Sequence, residues 1–143
     1  MDDDLAGTNV NRTYSLGAMS IAIFTFMLIF LYPRYASGEV DALLFQATLV
    51  VMGVATFSLV FASFHYYAAS LVRRMDDAER IRFSRIGDRF WLLGSTLLFV
   101  APSMVLVSVG LVVVGSVWFA LWLAYVIFAF RTFPRVQTRP GSN

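Results

Sequence analysis

Three stretches of this chain, residues 13–33, 42–72 and 90–130, contain no Asp, Glu, Lys or Arg, and they run for 21, 31 and 41 residues. All twenty charged side chains are confined to the other 50 positions. A helix needs about 20 apolar residues to cross a hydrocarbon core of about 30 Å. The first two runs therefore supply one span each. The third would form a straight rod of about 60 Å, too long for one crossing, so it must fold back where turn chemistry allows, between Gly110 and Ser116. Strands are excluded because a membrane barrel needs about eight or more of them, each alternating apolar and polar residues. Segments 21–31 and 118–130 are apolar on every face.

The expected fold is thus all-α: an integral membrane four-helix bundle forming a single domain over residues 1–143, with spans near 15–33, 45–70, 91–109 and 113–131. Composition agrees. Hydrophobic residues make up 59% of the chain and charged residues 14%, against about one quarter charged in a water-soluble domain. Too few charges are present to coat a globule of this size, and an ordinary soluble enzyme is not expected on that ground.

Orientation follows from arginine. With four spans, the N-terminal segment, the loop 73–89 and the C-terminal segment share one side, and that side holds ten of the eleven basic residues. Arg34 alone falls opposite. Short arginine-rich segments stay in the cytoplasm, so both termini are expected there, in a multi-pass protein of the cell membrane. A three-span chain would split the arginines between the two sides. The acidic start, Met1 followed by Asp2, Asp3 and Asp4, argues against a cleavable secretory signal, which would begin with basic residues. Asn11, Arg12 and Thr13 match a glycosylation sequon, but on the cytoplasmic side that chemistry does not occur.

Helices in lipid associate where small residues let backbones approach. The second span has such a stripe in Thr48, Ala55, Ser58, Ala62, His65 and Ala69, and the first has one in Ser15, Ala18, Ala22 and Thr25. These two stripes are expected to face each other. Pro102, inside the third span, removes a backbone donor and displaces the carbonyl of Leu98, with Ser95, Thr96 and Ser103 placed to bond it again. Trp118, Trp122 and Tyr125 give the fourth span aromatic bulk for packing or lipid contact. In the loop 73–89, Asp76 with Arg80 and Glu79 with Arg82 have the spacing of helical ion pairs. Gly87 is expected to end that short helix.

The chemistry on offer is sparse. Cysteine and lysine are both absent, which removes disulfides, thiolate metal sites, thiol nucleophiles and Schiff-base chemistry. His65 is the one histidine, and among ionisable groups other than tyrosine it alone lies inside a charge-free run. It is expected to face protein, bonded to a serine or a carbonyl of a neighbouring helix. No Asp or Glu within a span could orient it for hydrolysis, and Gly-x-Ser-x-Gly and phosphate-binding loops are missing. A pair of histidine ligands for haem would need a second chain. A polar intramembrane site would draw on His65, Gln46, Ser58 and Pro102.

The arginines of the loop, Arg73, Arg74, Arg80, Arg82, Arg85 and Arg89, suit anionic lipid headgroups at about 1 kcal/mol each. Nucleic acid is not an expected partner. The sequence supports a non-enzymatic accessory, scaffold or lipid-interacting component without catalytic residues, metal or cofactor. The other class is a small transporter or channel using His65. Four short helices enclose little interior, so a pore would require a homo-oligomer or a larger membrane complex.

Overall fold

A computed structural model describes the backbone of residues 2–70 and 76–137 and the side chains of residues 8–70, 76 and 78–131. Among the described residues the chain is helical without a strand. Helix α1 (Asp2–Phe26) passes through one π-helical turn (Met27–Leu31) into the short α2 (Tyr32–Ala36), and α3 (Ala42–Ser70), α4 (Asp77–Ser108) and α5 (Val112–Gln137) follow. Four segments are long and apolar enough to cross a bilayer: Thr8–Ala36, Ala42–Ser70, Ala78–Ser108 and Val112–Arg131. The chain is therefore a four-span, all-α membrane protein.

Local chemistry explains the joints. Pro33 has no N–H for the carbonyl of Ile29, and the turn just before it widens so that the Tyr32 N–H reaches the Met27 carbonyl. Gly38, at φ 79°, closes α2. There the Glu39 N–H bonds the Arg34 carbonyl and the Gly38 N–H bonds that of Tyr35, a left-handed glycine stop. Asp41 then caps α3 by accepting the Leu44 N–H at 2.8 Å. The α4–α5 joint repeats this device, with Gly110 at φ 87° and the Leu111 N–H on the Leu106 carbonyl. A bond from the Asp41 N–H to the Ser108 carbonyl ties both joints together at this end of the molecule.

Helices α3 and α4 form the central pair. Gly94 permits a close approach: a Cβ there would lie 2.8 Å from Leu59 Cγ and 3.0 Å from the Ala55 carbonyl oxygen. Helix α1 packs on α3 and touches α4, while α5 packs chiefly on α4. The core, around Met27, Phe45, Met52, Leu59 and Leu98, lies where α1, α3 and α4 converge. On α5 the stripe Gly115, Trp118, Trp122, Tyr125 and Ala129 faces α4, and most of the rest is exposed. The indole N–H groups of Trp118 and Trp122 donate to the carbonyls of Phe99 and Thr96 at 3.2 and 2.8 Å.

Several expectations need correction. Gly87 does not end a helix: it lies inside α4 against the Tyr66 ring. The third transmembrane helix therefore begins about a dozen residues earlier than its apolar run, because helical hydrogen bonding continues through the charged turns. Ser15, Ala18, Ala22 and Thr25 are exposed, and Thr13, Gly17, Ser20, Met27 and Leu31 are buried instead. Both faces of α1 carry small residues, but only the second also offers Met27 and Leu31 to the core, with Ser20 hydrogen-bonded to Thr56 at 2.6 Å.

The α3 stripe is buried or half-buried as expected, yet at Ala55 and His65 it meets α4, not α1. The hydroxyls near Pro102 also bond elsewhere. Ser103 donates to the Gly115 carbonyl at 2.8 Å and Ser95 to that of Leu92, while Thr96 Oγ1 has no partner among the described residues.

Candidate functional site

The four intramembrane residues singled out from the sequence do not converge. His65 and Gln46 are nineteen positions apart on one helix, which separates them by about 28 Å. His65 is half-buried, with Nδ1 2.7 Å from the Phe61 carbonyl of its own helix, so its partner is the preceding turn and not an adjacent helix. The rings of Phe83 and Phe90 lie 5.9 and 5.5 Å away. Gln46 is exposed at the opposite end of α3 and donates to the Tyr35 hydroxyl at 2.8 Å. Ser58 is buried two turns before His65, and Pro102 is half-buried within α4. Gln46 and His65, at opposite ends of α3, are too far apart to contact one small solute.

The arginines are brought together more closely. In α4, Arg82, Arg85 and Arg89 are exposed and Arg80 is half-buried. Spacings of three and seven residues put Arg82, Arg85 and Arg89 on one helical face. Arg73 and Arg74 lie outside the described residues. Antiparallel packing of α1 on α3 and of α5 on α4 brings Arg12 and Arg131, both exposed, to this same end, and Arg34 to the other. The exposed Ile81 adds an apolar side chain beside the arginines.

A third arrangement was not visible in the sequence. At the arginine-bearing end, α1, α3 and α4 diverge around a cavity of about 300 Å³ lined by Asn9, Arg12, Thr13, Tyr66, Asp88 and Trp91. Tyr66 is buried, and its hydroxyl donates to Asp88 Oδ1 at 2.7 Å. Asp88 is half-buried and Arg12 exposed. Next to it, a second hollow of about 510 Å³ continues past Arg12 and Trp91 to Thr8, Asn11, Ser15 and Leu16. These residues come from three helices, and no sequence motif links them across those helices. The available signals were Asp88, the last acidic residue before the third charge-free run, and Trp91, an indole just inside it. Among the described residues no cluster of His, Asp and Glu could hold a metal ion.

No protein-family model matches the sequence, and no curated protein or solved structure matches it.

Proposed function

We propose that this chain is a non-enzymatic, multi-pass component of the cell membrane that gathers anionic lipid at its cytoplasmic face, as a scaffold or an accessory subunit. The observation that carries this reading is the exposed arginine face of α4, Arg82, Arg85 and Arg89, mounted on a helix that runs without interruption into a membrane span. A rigid continuation of the span holds these guanidiniums at headgroup depth. There a phosphate can take two parallel N–H bonds from each of them. Arg12 and Arg131 extend the positive charge across the same end, and the arginine bias assigns that end to the cytoplasm.

The test is lipid retention measured by native mass spectrometry from mixed micelles of phosphatidylglycerol and phosphatidylcholine. The unaltered chain retains phosphatidylglycerol preferentially. Replacing Arg82, Arg85 and Arg89 together by Gln removes about 3 kcal/mol of attraction at low salt, and the preference falls by roughly a hundredfold. Equal retention of the two lipids by the unaltered chain would refute the proposal.

A further inference from the structure

We infer that the cleft between α1, α3 and α4 is a headgroup site for an ethanolamine phospholipid, in which Arg12 takes the phosphate and Asp88 the primary ammonium. Arg12 and Asp88 are opposite charges lining one cavity, yet they form no ion pair with each other among the described residues. Two unlike charges held across a hollow suit a ligand that carries both signs. The Tyr66 hydroxyl occupies Asp88 Oδ1 and fixes the carboxylate, which leaves Oδ2 for a donor from the ligand. Trp91 lines the same cavity, and an indole is the strongest aromatic partner for a cation.

Position favours a lipid over a free zwitterion. Tyr66 and Trp91 belong to membrane-spanning helices, so the cavity lies at the border between headgroups and hydrocarbon. The adjoining hollow reaches Leu16, which is half-buried against the apolar core, and so offers an exit for glycerol and an acyl chain. Choline would fit this site less well, because its quaternary nitrogen has no N–H for Asp88. The inference shares with the proposed function the placement of this end at headgroup depth and the use of Arg12; it does not involve the α4 arginines.

Native mass spectrometry of the full chain with dioleoyl phosphatidylethanolamine, dioleoyl phosphatidylcholine and dioleoyl phosphatidylglycerol separates the two ideas. The ethanolamine lipid is retained over the choline lipid by about tenfold, the usual weight of one charge-assisted hydrogen bond. Asp88→Asn keeps an acceptor oxygen for Tyr66 and removes the charge. It brings that ratio to about one and leaves the preference for phosphatidylglycerol intact. Arg12→Gln, at an exposed position, lowers retention of the ethanolamine and choline lipids together by several-fold.

Replacing Arg82, Arg85 and Arg89 leaves the ethanolamine-to-choline ratio unchanged even where the anionic preference disappears. An unaltered chain without that ratio, or an Asp88→Asn chain that retains it, would overturn the inference. Competition by soluble glycerophosphoethanolamine as strong as that of the lipid would overturn the assignment to lipid. Should Asp88→Asn prove unstable, Arg12→Gln decides alone: undiminished retention of both lipids would count against the site.

Discussion

Replacing Gly94 by Ala puts a methyl group into a close contact between the two central helices. Its Cβ would lie 2.8 Å from Leu59 Cγ and 3.0 Å from the Ala55 carbonyl oxygen. Leu59 is fully buried, and its Cγ is the branch point of the side chain, not a free end. The Ala55 carbonyl cannot move without shifting α3, and Leu59 Cγ can move only by a χ1 change that its full burial opposes. Overpacking of this kind costs about 1–3 kcal/mol, set against a gain of about 1 kcal/mol from exchanging Gly for Ala inside a helix. The expected net loss is about 1 kcal/mol.

Gly53, in the middle of α3, is the control, because a Cβ there meets nothing within 4 Å. Gly53→Ala should keep the propensity gain of up to about 1 kcal/mol. Stability can be read from reversible unfolding in mixed micelles of increasing dodecyl sulfate content. A double-mutant cycle with Leu59→Ala then isolates the clash: with the Leu59 side chain truncated, Gly94→Ala costs at least about 0.5 kcal/mol less than in the unaltered background. If Gly94→Ala stabilised the protein as much as Gly53→Ala, or showed no coupling to Leu59, the close α3–α4 seam described above would be wrong.

Other consequences follow from the same contacts. Tyr66→Phe removes the hydroxyl held by Asp88 and costs about 1–2 kcal/mol, while Tyr67→Phe, at an exposed ring, stays within about 0.5 kcal/mol of the unaltered chain in the same unfolding assay. Ser103→Ala and Trp122→Phe each remove one bond between α4 and α5, and each costs about 0.6 kcal/mol, the average for hydrogen bonds between membrane helices. A loss above about 2 kcal/mol for either would mean that α5 depends on these bonds more than its packing implies. Because the chain has no cysteine, Thr8→Cys, Thr132→Cys and Ser37→Cys each introduce a unique thiol. An impermeant maleimide added outside intact cells should label the Ser37→Cys chain and neither of the others.

The candidate site was legible in part. Arginines and their common end could be read directly, because charge in a membrane chain marks what lies outside the hydrocarbon. The Tyr66–Asp88 bond could not, since it joins residues 22 positions apart on different helices. Asp88 was one carboxylate among several in a charged segment until α4 placed it opposite Tyr66. His65 stood out in the sequence by its type, but the fold leaves it bonded to its own helix and separate from Gln46 and Pro102.

The amino-acid order alone dictated the number of spans, because a charged group is expensive in hydrocarbon and its absence over twenty or more residues is informative. It did not dictate which face of each helix would be buried. Lipid tails are as apolar as a protein core, so an inward residue need be no more hydrophobic than an outward one. The burial of Thr13, Gly17 and Ser20 in place of Ser15, Ala18 and Ala22, the seam at Gly94 and the cleft between α1, α3 and α4 were decided by steric fit. Such fit exists only once the helices are set against one another.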